Sequence, residues 1–246
     1  MKIVYHEKFK EVYSGDPAAS PGRIECILKE LKNGYEFAKP EPATEEDLKL
    51  IHTETHIGYV KRIGVYEIAV LAVGGALKAG EIAVKGEPAF GLIRPPGHHA
   101  SPDHCWGFCF FNNIAITVEK LRKLGKVNRV LIVDFDLHYG DGTENAFRGK
   151  SNVIYYHLPR INSLEELERM LGETKGYDLI AVSAGFDRHV EDWGGMLTTQ
   201  DYTQIGEVIK RFSEEVCKGK RFAVLEGGYN HRVLGKNVKA FLEGFE

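Results

Sequence analysis

Val130-Leu-Ile-Val-Asp134-Phe-Asp136-Leu-His138-Tyr-Gly-Asp141-Gly-Thr143 is the stretch on which the reading of this chain turns. Val130 to Val133 is an uninterrupted apolar run of strand length, and the acids, histidine and glycines that follow end it. A strand alternates faces, so the pattern predicts that positions 134, 136 and 138 point one way while the backbone stays extended. Asp136 and His138 then offer an oxygen and a nitrogen to one cation. A second run, Leu179-Ile-Ala-Val182, leads into Ser183-Ala-Gly-Phe-Asp187 and supplies another carboxylate at an equivalent point. Two carboxylates and one imidazole leave a divalent metal with open positions, as in catalytic rather than structural zinc sites.

Two more strand-like runs end in reactive side chains. Ala89-Phe-Gly-Leu-Ile93 precedes Arg94-Pro-Pro-Gly-His98-His99-Ala100, where the prolines and glycine make the chain leave as a turn. Neighbouring imidazoles in one pocket resist double protonation, which suits a general base and acid pair. Asp134 and Asp141 are available to orient them. Phe222-Ala-Val-Leu225 precedes Glu226-Gly227-Gly228-Tyr229-Asn230, whose glycines permit close backbone approach and whose Tyr229 could donate to an oxyanion.

Apolar runs alternating with longer amphipathic segments predict an α/β fold, a mainly parallel sheet flanked by helices in three layers. Strands are expected near 2–5, 88–93, 129–134, 152–157, 178–183 and 221–226. Helices are expected near 22–33, 44–50, 65–84, 110–124, 163–172, 200–218 and 230–244. Each chemical motif directly follows a strand, and the carboxyl edge of such a sheet is where ligands bind. Neither repeats nor low-complexity linkers break the chain, and Pro40-Glu-Pro42 reads as a turn, so residues 1–246 are expected to form one catalytic domain.

Composition narrows the function classes. The 246 residues are 43% hydrophobic, enough for one core covered on both faces. A formal net charge of -3 gives no electrostatic drive toward nucleic acid, so direct nucleic-acid binding is not expected. No apolar run reaches the roughly 18 residues of a membrane span. Cys26, Cys105, Cys109 and Cys217 lack paired Cys-x-x-Cys spacing, and Met1-Lys-Ile-Val-Tyr5 is unlike a signal peptide, so a cytoplasmic location is expected.

Taken singly, the motifs have plain structural readings. Asp-x-His after a strand is often a turn or cap, Gly227-Gly228-Tyr229 a helix-start turn, and Asp141-Gly-Thr143 turn and cap chemistry. His52 and His56, four apart on an expected helix, read as cap or interhelix residues. Cys109 lies in an apolar run and reads as a buried thiol rather than, with His104 and Cys105, a second metal site.

As an ordered set, Arg94–Ala100, Gly107-Phe-Cys-Phe-Phe-Asn-Asn113, Asp134–Thr143, Ser183–Asp187 with Gly194-Gly195, and Glu226–Asn230 resemble the zinc-dependent deacetylase family of histone deacetylases and acetylpolyamine amidohydrolases. The resemblance implies an arginase/deacetylase-like fold and Zn²⁺ held by Asp136, His138 and Asp187, with Fe²⁺ or Co²⁺ as other candidates for that donor set. It implies His98 and His99 as the base and acid pair, Asp134 and Asp141 as their orienting carboxylates, and Tyr229 as oxyanion donor. Gly107, Phe108 and Gly227 would line the substrate channel, and Arg23 of Ser20-Pro-Gly-Arg23 would sit beside an acetate cavity. A structural K⁺, bound partly by backbone carbonyls of the Asp134 to His138 turn, is also implied. The implied reaction is hydrolysis of an acetyl or similar short acyl amide on an acetyl-lysine, an acetylpolyamine or a related small amine. The rivals are an arginase-like ureohydrolase with two metals and a protein that binds acetylated amines without turnover.

The chain also departs from the family. Tyr139 stands where a second histidine usually follows the metal histidine. The connections between Val60 and Tyr66 and between Leu158 and Tyr177 are short, where the family has a rim loop with a substrate-gripping aspartate and a glycine-rich wall loop. These deletions predict a shallow, permissive pocket walled by Phe108 on one side and lacking its opposite wall; an oligomer that completes it is the other expectation.

Overall fold

The computed structural model describes residues 1–32, 34–160 and 163–246. Among the described residues seven strands form one sheet: β1 (Lys2–Val4), β2 (Glu36–Ala38), β3 (Ala89–Gly91), β4 (Val130–Asp134), β5 (Val153–His157), β6 (Leu179–Ala184) and β7 (Arg221–Leu225). Every pairing is parallel, in the order β2-β1-β3-β7-β6-β4-β5. Residues of β3, β4, β6 and β7 are buried throughout, as expected where helices cover both faces of a parallel sheet. The four strands that precede the chemical motifs are thus adjacent, β3-β7-β6-β4, and deliver their following loops to one edge.

Helices α1 (Arg23–Leu31), α2 (Glu45–Leu48), α3 (Glu54–Arg62), α4 (Tyr66–Ala83), α5 (Asn113–Lys123), α6 (Asp141–Phe147), α7 (Ser163–Glu173), α8 (Thr199–Cys217) and α9 (His231–Phe245) complete the chain. They fall into two sets: α4 packs on α5 and on β1, β3 and β7, while α9 packs on α8 and α1, and α8 on α7 and β6. Local sequence explains where several start. Thr198 caps α8 in a reciprocal box with Asp201, and Asn230 caps α9 through Arg232 N–H. The buried residues of α8, Tyr202, Ile205, Ile209 and Phe212, recur at helical spacing. Among the described residues no helix is long and apolar enough to cross a membrane.

Three features differ from the sequence reading. Strand β2 is an added edge strand of three residues, all at least partly exposed, so no apolar run marks it. Helix α3 follows His52 instead of containing it: Thr53 caps His56 N–H, and only His56 of the pair is helical. Asp141-Gly-Thr143, read as a turn, opens helix α6. Positions 33, 161 and 162 of the expected helix and loop segments lie outside the described residues.

Helices α8 and α9 meet backbone to backbone. A Cβ on Gly244 would lie 2.1 Å from the Thr203 carbonyl oxygen. Gly244→Ala is therefore expected to destabilise the fold by about 1–3 kcal/mol through overpacking, against a helix-propensity gain of under about 1 kcal/mol. Gly15→Ala, with nothing within 4 Å of the added carbon, serves as the control. Thermal unfolding of the two variants checks the prediction, which fails if both melt like the parent.

Candidate metal centre and catalytic cleft

The extended backbone expected through Asp134, Asp136 and His138 is replaced by a turn. Strand β4 ends at Asp134, and each carboxylate accepts the N–H two residues on: Asp134 Oδ1 from Asp136 at 3.0 Å, Asp136 Oδ1 from His138 at 2.9 Å. Aspartates favour such local bonds over continued pairing. The three side chains still converge, but through these turns.

Asp136, His138 and Asp187 each place a ligand atom within 4.8 Å of the others. His138 Nδ1 lies 3.3 Å from Asp136 Oδ1 and 3.1 Å from Asp187 Oδ2. Asp136 Oδ2 also accepts Gly227 N–H at 2.8 Å, and Asp187 Oδ1 accepts Leu137 N–H at 3.0 Å. Asp187 Oδ2 is buried and meets no backbone N–H, with His138 Nδ1 as its polar neighbour. An orphaned carboxylate oxygen facing an imidazole and a second carboxylate is the environment a divalent cation satisfies, so the three residues fit the implied metal. Glycines make room for them: a Cβ on Gly185 would lie 2.2 Å from Asp136 Oδ2, and one on Gly227 2.6 Å from the same atom.

The electrostatics agree. Burial and the charge of Asp136 push Asp187 up to about 6, and hydrogen bonds to Asp136 and Asp187 raise His138 to about 9. Burial works against ionised Asp136, yet the charge of His98 and bonds from His138 and Gly227 hold it below the ordinary carboxylate range.

His98 and His99 stand beside this centre with ring centroids 4.0 Å apart. Each Nδ1 has its own carboxylate: His98 on Asp134 Oδ2 at 3.0 Å, His99 on Asp141 Oδ1 at 2.8 Å. With Nδ1–H held by a carboxylate, the neutral tautomer leaves Nε2 free to accept a proton. Burial opposes charge on His98, but Asp136 and Asp134 outweigh it and raise its pKa well above the ordinary value. Burial and the charge of His98 bring His99 down to about 4. The pair therefore carries one positive charge, favoured on His98.

The glycine motif after β7 holds these parts together. Glu226, buried, accepts the N–H groups of Gly97 and His98 at 2.7 and 3.2 Å. Arg23 donates to the carbonyls of Gly228 at 2.8 Å and Glu226 at 2.5 Å; its Nη1 is buried without a partner, and its guanidinium lies 5.5 Å from the Tyr229 ring. Burial, then Asp136 and Asp187, raise the Tyr229 phenol well above its usual value, so it remains a donor at neutral pH.

His98, His99, Gly107, Phe108, His138, Gly227 and Tyr229 line one cavity of about 120 Å³ with Pro96, Trp106 and Trp193. Gly107 (φ 60°) and Phe108 (φ 68°) both adopt left-handed backbone, and a Cβ on Gly107 would meet the His99 ring at 2.4 Å. This turn swings Phe108 edge-on toward Tyr229, with centroids 5.9 Å apart.

The expectation of a missing opposite wall is wrong. Trp193 stacks on Tyr229 at 4.0 Å, and Trp106 lies tilted over His99 with ring centroids 3.8 Å apart while donating Nε1–H to Asp141 at 2.8 Å. Both tryptophans are about half exposed, at 52% and 51%; Trp193 stands in a polar loop and Trp106 among other aromatics, so sequence patterning singles out neither. The cleft is nevertheless accessible: the His138 side chain is 37% exposed.

Other residues absent from the sequence reading buttress the site. Asp192 Oδ2 accepts the N–H groups of both Tyr229 and Asn230 at 2.8 Å. Tyr155, on β5, donates to Asp134 at 3.0 Å and accepts Gly140 N–H at 2.9 Å. His52 and His56 are buried, bonded to the backbone of Ser101, Asn112 and Phe110 and so structural; Cys109 is buried, its thiol pushed well up in pKa by burial.

The comparisons with known proteins agree with this geometry. The histone deacetylase domain family model matches residues 17–163 and 161–245, and the chain belongs to that family. A probable deacetylase of Methanothermobacter thermautotrophicus is 30% identical over 284 residues, covering 92% of this chain and 84% of that protein. The polyamine deacetylase HDAC10 of Danio rerio is 28% identical over 262 residues, covering 80% of this chain and 38% of that protein. Among solved structures, the HDA15 HD domain superposes with a TM-score of 0.82 at 21% identity, covering 100% of this chain and 90% of that one, a likeness in fold.

Divalent metal is expected to displace the protons on His138 and Asp187, because ligands must be deprotonated to bind. The sign follows from the two values: both groups compete with the metal below about pH 6, only His138 competes between about 6 and 9, and affinity levels off above about 9. Calorimetric titration of metal-free protein in buffers of different ionisation enthalpy measures the released protons. Asp187→Ala should lose the metal while keeping the fold; tight, pH-independent binding by that variant contradicts the ligand set.

Proposed function

We propose that the protein is a zinc-dependent amidohydrolase that removes an acetyl or similarly short acyl group from an amine. The observation that carries this reading is the convergence, in one small cleft, of a three-ligand cradle, two carboxylate-oriented histidines and a protonated tyrosine. Bound Zn²⁺ would polarise the amide carbonyl and acidify water, and Fe²⁺ or Co²⁺ suits the same donors. In this reading His98 and His99 present Nε2 to the cleft and Asp134 and Asp141 hold their Nδ1–H. One ring of the pair takes the proton of the attacking water, and the pair returns a proton to the departing amine. Tyr229, kept as a phenol, donates to the oxygen that gains charge in the transition state.

The aromatic faces of Trp193, Phe108 and Trp106 suit the alkyl chain of an acyl amine, whether acetyl-lysine or an acetylated polyamine. The cleft's accessibility supports a permissive choice among such amines. One metal per chain is expected by elemental analysis, whereas two would favour a ureohydrolase. His98, Cys109 and Glu226 also cluster, but His98 Nδ1 is already held by Asp134 and burial keeps the Cys109 thiol protonated.

Removing one oxyanion donor typically costs about 10²–10³ in turnover, so Tyr229→Phe should lower kcat on an acetyl-lysine reporter by that order with little change in KM. A change confined to KM would move Tyr229 to ground-state binding. A parent protein that binds the reporter without turning it over would leave only a binding role.

A second prediction concerns width. Trp193→Ala removes the face stacked on Tyr229, so KM for a simple acetylated amine should rise several-fold, while bulkier acyl groups gain relative to acetyl. Unchanged acyl preference in steady-state kinetics would rule Trp193 out as a wall that substrates touch.

A further inference from the structure

The monovalent cation implied beneath the metal turn does not fit this chain. Its place in the charge balance would be among the carbonyls of the Asp134 to His138 turn, and a guanidinium already reaches them. Arg188, fully buried, directly follows Asp187 and turns its side chain under the turn. Its Nε donates to the Asp136 carbonyl at 3.0 Å, Nη1 to the Pro159 carbonyl at 2.8 Å, and Nη2 to the Leu158 carbonyl and to His157 Nε2, the latter at 3.0 Å. The Asp134 carbonyl accepts Leu158 N–H at 2.8 Å.

We infer that Arg188 is a built-in cation that replaces a bound monovalent metal ion beneath the catalytic turn, making the chain independent of potassium. The chemistry of the acceptors supports this. Three backbone carbonyls and an imidazole nitrogen converge on one point, as they would around a desolvated cation, and the planar guanidinium supplies a donor to each. Because Nη2 donates to His157 Nε2, the His157 proton sits on Nδ1, which faces Asp134 Oδ1 at 3.9 Å. Asp134, Asp136 and Asp187 surround the same corner, so the positive charge is needed there whether an ion or a side chain brings it. A covalently attached charge does not dissociate, and its occupancy does not depend on salt composition.

The test needs no substrate, so its outcome is independent of the proposed reaction. Thermal unfolding of the parent is compared in potassium, sodium and choline chloride at equal ionic strength. Equal melting temperatures are expected. A specific cation site held at about a hundred times its Kd would raise the melting temperature in potassium by roughly 5–10 °C, and that result would overturn the inference. Arg188→Met, which keeps much of the volume and removes the charge, should melt lower in choline and regain part of the loss in potassium. If it melts like the parent in choline, Arg188 is not the required charge and the inference fails. If the variant does not fold in any salt, the parent comparison alone decides. For catalysis, parent kcat should be equal in the three salts.

Discussion

Three aspartates share one water-poor corner at the carboxyl ends of β4 and β6, and the surrounding structure follows from that constraint. Asp134, Asp136 and Asp187 are each at most 1% exposed. A buried carboxylate left without donors costs several kcal/mol, so each must be met by N–H groups or cations. Asp134 is met by Asp136 N–H, His98 and Tyr155, and Asp136 by His138 N–H and Gly227 N–H. Asp187 is met by Leu137 N–H on one oxygen, and only its other oxygen remains open. The open oxygen marks where cationic chemistry belongs, and the satisfied ones explain why the turn is rigid.

Topology makes those donors available. Because β7 inserts between β3 and β6, Gly227 arrives beside Asp136, and the Glu226 carboxylate arrives under Gly97 and His98. Gly227 and Gly185 must lack side chains because their α-carbons press against the aspartates. From the other helical layer, α1 contributes Arg23 to the carbonyls of the same glycine turn. One sheet edge thus collects residues separated by some two hundred positions, and no single segment folds the site alone.

Most of the sheet was legible, as was the convergence of the motif side chains on one edge, since buried parallel strands read as apolar runs and each motif sits at the end of one. What escaped has physical reasons. Strand β2 is short and exposed, so edge pairing rather than burial makes it. Helix α6 begins with residues that equally form turns, and only the carboxylate of Asp141 beside His99 distinguishes its use. Trp193 is a lone aromatic in a polar loop, and Trp106 is one of four aromatics between positions 106 and 111 with nothing in the pattern to single it out; their use exists only once Tyr229 and His99 lie beside them. Arg188 reads as a surface charge next to an acid; its burial follows from carbonyls contributed by the segment after β5, beyond the reach of local pattern. The short connections between Val60 and Tyr66 and between Leu158 and Tyr177 suggested a missing wall, but absence of a loop is not absence of a wall: Trp193 lines the cleft.

That last distinction bears on how the cleft is regulated by its own architecture. Asp192 holds the N–H groups of Tyr229 and Asn230, and the adjacent Trp193 lies flat on the Tyr229 ring. The residues that set the width of the cleft are therefore bonded and stacked to the residue proposed as the oxyanion donor. Trp106 repeats the arrangement on the other side, covering His99 while bonding the carboxylate that orients it. In a larger rim, substrate grip and catalytic floor would be separate parts. In the proposed reading each tryptophan is both, so a substitution that reshapes the cleft also loosens a group that must stay within a few tenths of an ångström of its productive position. A compact member of this family therefore has less freedom to change substrate by altering its walls alone.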